Sequence, residues 1–90
     1  MPRYIVERLF PDRWLIRAGR EGAELCLGIV KRNADEGVTW VHSYVSDDKT
    51  KAFCVYDAPT PEAIRKTATR NELPVERITQ VHVLDPYFYE

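Results

Sequence analysis

Hydrophobic and polar positions change period several times along the chain, and each change marks an element. Arg3 to Leu9 is a short β-like run closed by Pro11-Asp12. Arg13-Trp14-Leu15-Ile16-Arg17 is extended in character, and Gly19 and Gly22 after it indicate a loop. From Ala23 the period becomes helical: Ala23, Cys26, Leu27, Val30 and Ala34 fall on one face, widened by Leu25 and Ile29. Glu21 and Glu24 suit the first turn of that helix and Lys31 and Arg32 its last, while Gly37 can take the left-handed position that ends it. Val38 to Ser46 then alternates strictly, with Val41, Ser43 and Val45 on one side and Trp40, His42 and Tyr44 on the other. Asp47-Asp48-Lys49-Thr50 is turn chemistry, and Lys51 to Ala58 reads as the returning strand, with Tyr44 opposite Cys54 and His42 opposite Tyr56. Thr60-Pro61-Glu62 supplies a hydroxyl cap, a proline at the first helical position and an acid at the positive end of the dipole. That second helix runs through Ala63, Ile64, Thr67 and Ala68 to about Asn71, where Leu73-Pro74 stops it. Arg77 to Leu84 is a last strand, followed by the aromatic tail Tyr87-Phe88-Tyr89.

Strand, helix, strand, strand, helix, strand is the order of an α+β, ferredoxin-like βαββαβ sandwich. Its four-stranded antiparallel sheet has spatial order 4-1-3-2, with both helices on one face. The other face is bare, and its residues carry the functional information. Phe53, Val55, Val81, Val83, Val41 and Val45 form an aliphatic parity that suits packing beneath the helices. The opposite parity, Trp40, His42, Tyr44, Cys54, Tyr56, Gln80, His82 and Leu84, is too aromatic for water and too polar for a dry core. A face of that character commonly meets a second copy of itself, so a homodimer is expected.

Composition narrows the function classes without naming a reaction. Ninety residues fit one domain, residues 1–90, and a chain this short is close to the margin of independent stability. A net charge of −1 offers no basic field to nucleic acid or to an acidic membrane. No apolar run approaches the roughly 20 residues of a membrane span, and Glu7 and Arg8 interrupt any signal-like core after Met1-Pro2-Arg3. A cytoplasmic protein is expected. Cys26 and Cys54 lack CxxC spacing and read as reduced thiols, Cys26 as a small hydrophobe on its helix.

Both histidines share the inferred parity of Cys54, which gathers imidazole and thiol ligands on one surface. A carboxylate beneath two helices would be costly unless paired, so Glu7 is placed on the bare face as an oxygen donor. His42, His82, Cys54 and Glu7 are therefore the candidate metal ligands. His42 and His82 lie on opposite edge strands, whose backbones are roughly 14 Å apart, so one ion cannot readily take both from one subunit. Two separate sites, or ligands brought together by dimerisation, would resolve this. A competing account makes His42 an interface residue and His82 a solvated one. Cys54 as a nucleophile would need a base and a lowered pKa, and no oxyanion device or glycine-rich loop accompanies it. Asp47, Asp48 and Asp57 fit a solvated hairpin tip better than a hard-cation site. Arg65, Lys66 and Arg70 are offset by Glu62, Glu72 and Glu76 and read as a solvated helix face. Lys51-Ala52-Phe53-Cys54-Val55-Tyr56 faintly echoes an RNA-recognition strand, but Ala52 replaces its glycine, Val55 replaces a stacking aromatic, and Phe53 faces the helices on this parity.

Trp40-Val41-His42-Ser43-Tyr44-Val45, then Phe53-Cys54-Val55-Tyr56-Asp57-Ala58-Pro59, then Leu73-Pro74-Val75-Glu76-Arg77-Ile78, resemble a bacterial family of small ferredoxin-like proteins common in actinomycetes. Tyr4-Ile5-Val6-Glu7-Arg8 and Leu84-Asp85-Pro86 extend the resemblance over nearly the whole chain. The family includes a nickel-binding protein from Streptomyces, and the chain looks very close to that member. The resemblance implies a cytoplasmic homodimer that binds nickel, Ni(II), for sequestration, storage or transfer, and the leading expectation is a non-enzymatic metal-binding protein. It establishes no ligand list, and the residues matched to the role remain His42, His82, Cys54 and Glu7. The alternative expectation is a small dimeric α/β-barrel enzyme or ligand-binding protein, monooxygenase- or isomerase-like. It would use the cavity on the open face, with Tyr44, Tyr56 or His42 in polar roles.

Overall fold

The computed structural model describes residues 1–11 and 19–88. The expected extended segment at Arg13–Arg17 and the tail residue Tyr89 lie outside the described residues. The elements follow the expected order: β1 (Arg3–Leu9), α1 (Arg20–Ala34), β2 (Thr39–Val45), β3 (Lys51–Asp57), α2 (Pro61–Arg70) and β4 (Arg77–Val81). They form one antiparallel sheet in the order β2-β3-β1-β4, which is the expected 4-1-3-2 read from its other edge. Among the described residues, no helix is long and apolar enough to cross a membrane.

Local chemistry explains the element ends. The Thr60 hydroxyl accepts a hydrogen bond from the Ala63 amide at 3.2 Å, and Pro61 opens α2 with its ring where no amide is needed. Gly37, with φ of 70°, turns the chain out of α1 towards β2. Asp48 organises the β2–β3 turn: its Oδ1 accepts from the Ser46 hydroxyl at 2.7 Å and from the Thr50 amide and hydroxyl at 3.0 and 2.8 Å. Those three bonds pull its carboxyl down to about 2. Lys49 takes the left-handed conformation that closes the turn.

The core lies between the sheet and α2, where Tyr4, Val6, Ala52, Cys54 and Tyr56 meet Val38, Ala58 and Ile64. Ile64 is fully buried, and removing such a side chain from water contributes about 1.5–3 kcal/mol. The helices are joined at their C-terminal ends by polar contacts: the Asn71 amide donates to Asn33 Oδ1 at 2.9 Å, and Arg70 pairs with Asp35 at 3.1 Å.

Three expectations are corrected. In α1 the buried residues are Gly22, Ile29 and Asn33, while Leu25, Leu27 and Val30 are exposed. The packed stripe is thus displaced by about one residue, 100° of rotation, from the expected face. On β3 the helix-facing residues are Ala52, Cys54 and Tyr56, so Phe53 and Val55 belong to the open face. On β4 the parity is likewise reversed, because Val81 lies opposite Arg3 and Gln80 opposite Tyr4. On the β2–β3 side the pairing is one residue off the expected one from the turn onward, with Tyr44 opposite Phe53 in place of Cys54, and a bulge between Trp40 and His42 leaves Val41 without a partner. It puts Trp40 opposite Tyr56 on the helix side, yet keeps His42 and Tyr44 on the open side, opposite Val55 and Phe53. Strict alternation allows no such change of phase, and a one-residue slip exchanges the two faces of a strand.

Candidate functional site

The open face of the sheet is built from rows of residues in register across the strands. One row reads Tyr44, Phe53, Glu7, Arg77; the next reads His42, Val55, Ile5, Thr79; a third reads Thr39, Asp57, Arg3, Val81. Leu9 and Lys51 form a fourth row at the end of β1. Neither helix covers this face, and Tyr44 stands 63% exposed beside Phe53 at 36%. His42 meets Tyr44 edge-to-face, with ring centroids 5.1 Å apart, which holds both rings above the same edge of the sheet. In the third row the Arg3 guanidinium grips Asp57 through two bonds of 2.8 and 3.1 Å and holds its carboxyl below the usual range.

The four candidate ligands are not brought together. His42 and Glu7 share the open face as expected, separated by two strands and one row, a backbone distance of roughly 12 Å. Cys54 is corrected: it is 1% exposed on the helix side, opposite Val6, and does not share a surface with His42. Tyr56 is corrected with it, being buried on the same side. His82 follows the last residue of β4 and is exposed, lining a shallow depression with Met1, Pro2, Arg3, Asp57, Val81 and Val83. Among the described residues, no three His, Cys, Asp or Glu side chains converge to hold a metal ion.

On the helix side, Cys54 and Tyr56 belong to a different arrangement. Arg8 is 2% exposed, and its guanidinium donates to the Pro74 carbonyl at 2.6 Å and the Tyr56 hydroxyl at 3.0 Å. It also lies 5.8 Å from the centre of the Tyr56 ring. Burial raises the Tyr56 phenol above its ordinary value, so it stays neutral and can accept from the guanidinium. No ion pair with Arg8 occurs among the described residues, and its Nε has no partner.

Sequence reasoning missed Lys51, Phe53 and Val55 as open-face residues. A signal was present: Lys51 and Asp57 carry charge on their parity, whereas Ala52, Cys54, Tyr56 and Ala58 carry none. Charge avoidance is the stronger guide to the buried side of a strand than aliphatic character. With Phe53 now on the open face, the case against RNA recognition rests on Ala52, on Val55 and on the net charge of −1.

Two comparisons bear on this geometry. A family model described as nickel responsive protein SCO4226-like matches residues 4–81. The fold is similar to the crystal structure of SCO4226 from Streptomyces coelicolor A3(2), with a TM-score of 0.71 and 12% sequence identity over 92% of this chain and 99% of that one. At that identity the structural likeness is one of fold. No significant match was found among curated proteins.

Proposed function

The chain belongs to the SCO4226-like family of nickel-responsive proteins, and on that premise we propose that it binds Ni(II) as a homodimer without catalysing a reaction. The observation that carries this reading is family membership over residues 4–81, joined by an open sheet face bearing an exposed imidazole and a half-buried carboxylate. Imidazole nitrogen and carboxylate oxygen suit Ni(II), which sits high in the divalent affinity series. His42 and Glu7 are the open-face ligands and His82 is a second, rim position; Cys54, enclosed beneath the helices, is left out of the set.

One chain presents these donors too far apart to share an ion, so each needs further ligands from a second subunit, from water or from a small molecule. The exposed Tyr44 and Phe53, with half-buried Ile5 and Val81 around them, supply the apolar patch through which two copies would pair. Binding of this kind fits sequestration, storage or transfer of nickel.

Untagged protein analysed for metal by mass spectrometry, with calorimetric titration of nickel, tests the proposal. Retained nickel that falls in His42→Ala or His82→Ala, with an unchanged circular dichroism spectrum, is the expected result. Unchanged stoichiometry in both variants would remove the ligand assignment. A metal-free dimer would instead favour an organic ligand on the same face, where a hollow of about 430 Å³ already lies against Glu7.

A further inference from the structure

The scarcity of protein donors and the character of that hollow point the same way. The hollow sits where the first row meets the Leu9–Lys51 row, lined by Glu7, Leu9, Lys51, Phe53, Glu76 and Arg77. Its volume of about 430 Å³ is in the range of small-molecule sites. Across the strands the charges run positive, negative, positive: Lys51 on β3, Glu7 on β1, Arg77 on β4. Glu7 and Arg77 stand directly opposite in register, yet no ion pair joins them, nor does one engage Lys51 among the described residues. Each charged head is therefore available to a ligand.

A bare aquo nickel ion matches Glu7 but is repelled by the two cations that flank it. A nickel chelate matches all three, since its metal centre is electropositive and its outer carboxylates are not. We infer that this hollow takes nickel as a complex with a small polycarboxylate, Glu7 entering the metal's coordination shell while Lys51 and Arg77 hold the chelator's carboxylates. Phe53 and Leu9 cover the carbon skeleton, and Glu76 adds a second carboxylate on the rim. The chelator then fills the coordination positions that the chain leaves empty, because no three donors converge among the described residues. This inference rests on the nickel-binding reading above.

The test compares nickel retained by the protein after desalting from three solutions: nickel chloride in a non-coordinating buffer, equimolar nickel citrate, and citrate alone. Nickel and citrate should be retained together, at about tenfold lower concentration than nickel chloride requires. The double variant Lys51→Met/Arg77→Met, both side chains being exposed and so replaceable without loss of fold, should abolish that advantage and, with the repulsion of the bare ion removed, raise uptake from nickel chloride. Equal retention from both nickel solutions, or citrate bound as tightly without metal, overturns the chelate inference alone. Retention from neither nickel solution overturns the nickel-binding reading as well.

Discussion

Removing the Tyr56 hydroxyl should destabilise the native protein, yet have no cost, or a favourable effect, once Arg8 is gone. The phenol is one of two acceptors for a guanidinium that is almost wholly buried, carries an unpartnered Nε and has no carboxylate partner among the described residues. A hydrogen bond to a charged group contributes about 1.5–3 kcal/mol, and Tyr56→Phe removes it while keeping the ring face that the cation lies against. A loss of about 2 kcal/mol is expected. In an Arg8→Met background the relation inverts: the hydroxyl becomes the buried group without its donor, at a penalty of about 1–3 kcal/mol, and Tyr56→Phe relieves it. The coupling between the two positions should therefore reach about 3–5 kcal/mol. Urea unfolding followed by far-ultraviolet circular dichroism reads it directly. With a slope of about 1–2 kcal/mol/M, the single Tyr56→Phe change moves the midpoint by about 1–2 M. If Tyr56→Phe costs the same in both backgrounds, the guanidinium does not depend on the phenol, and the account of this buried cation is wrong.

Other expectations follow from single features. Thr60→Ala removes the hydroxyl that caps α2 and should cost about 1 kcal/mol, lowering the melting temperature by about 4–8 °C. Asp48, held at about 2 by Ser46 and Thr50, contributes to the turn fully above the ordinary carboxylate range. That contribution disappears as the pH falls from about 4 towards about 2, and Ser46→Ala should raise the value followed by carboxyl nuclear magnetic resonance. Phe53→Asp places a second carboxylate directly beside Glu7 on the open face, so sedimentation equilibrium should give the proposed dimer for the native chain and a monomer for the variant. A dimer unaffected by that change would place the interface elsewhere.

Candidate ligands were less legible than the fold, for a reason visible in particular residues. Glu7 was placed on the correct face by an argument about the cost of burying charge, which does not depend on its neighbours. His42 also fell where expected, even though the bulge beside it broke the alternation on which that expectation relied. Cys54 failed because its face was inferred from aliphatic character in the alternate positions. What β3 contributes to the core beneath α2 is in fact an alanine, a cysteine and a tyrosine whose hydroxyl Arg8 satisfies. His82 could not be judged by parity, since β4 ends one residue before it.

What the sequence by itself determined is what neighbouring residues decide among themselves: the order of six elements, the start of α2 at Thr60-Pro61-Glu62, the turn around Asp48, and the glycine exit from α1 at Gly37. Caps, turns and periodicity act over a few residues and leave their mark in the local pattern. Which side of β3 and β4 meets the helices, and which stripe of α1 is packed, was decided by tertiary structure alone. A strand's two faces differ by a one-residue shift in pairing, and that shift was set by the hairpin register that puts Tyr44 opposite Phe53 and by Val6 taking Cys54 as its partner. The same register placed Lys51, Glu7 and Arg77 around one hollow, a grouping of residues from three strands that no local spacing along the chain encodes.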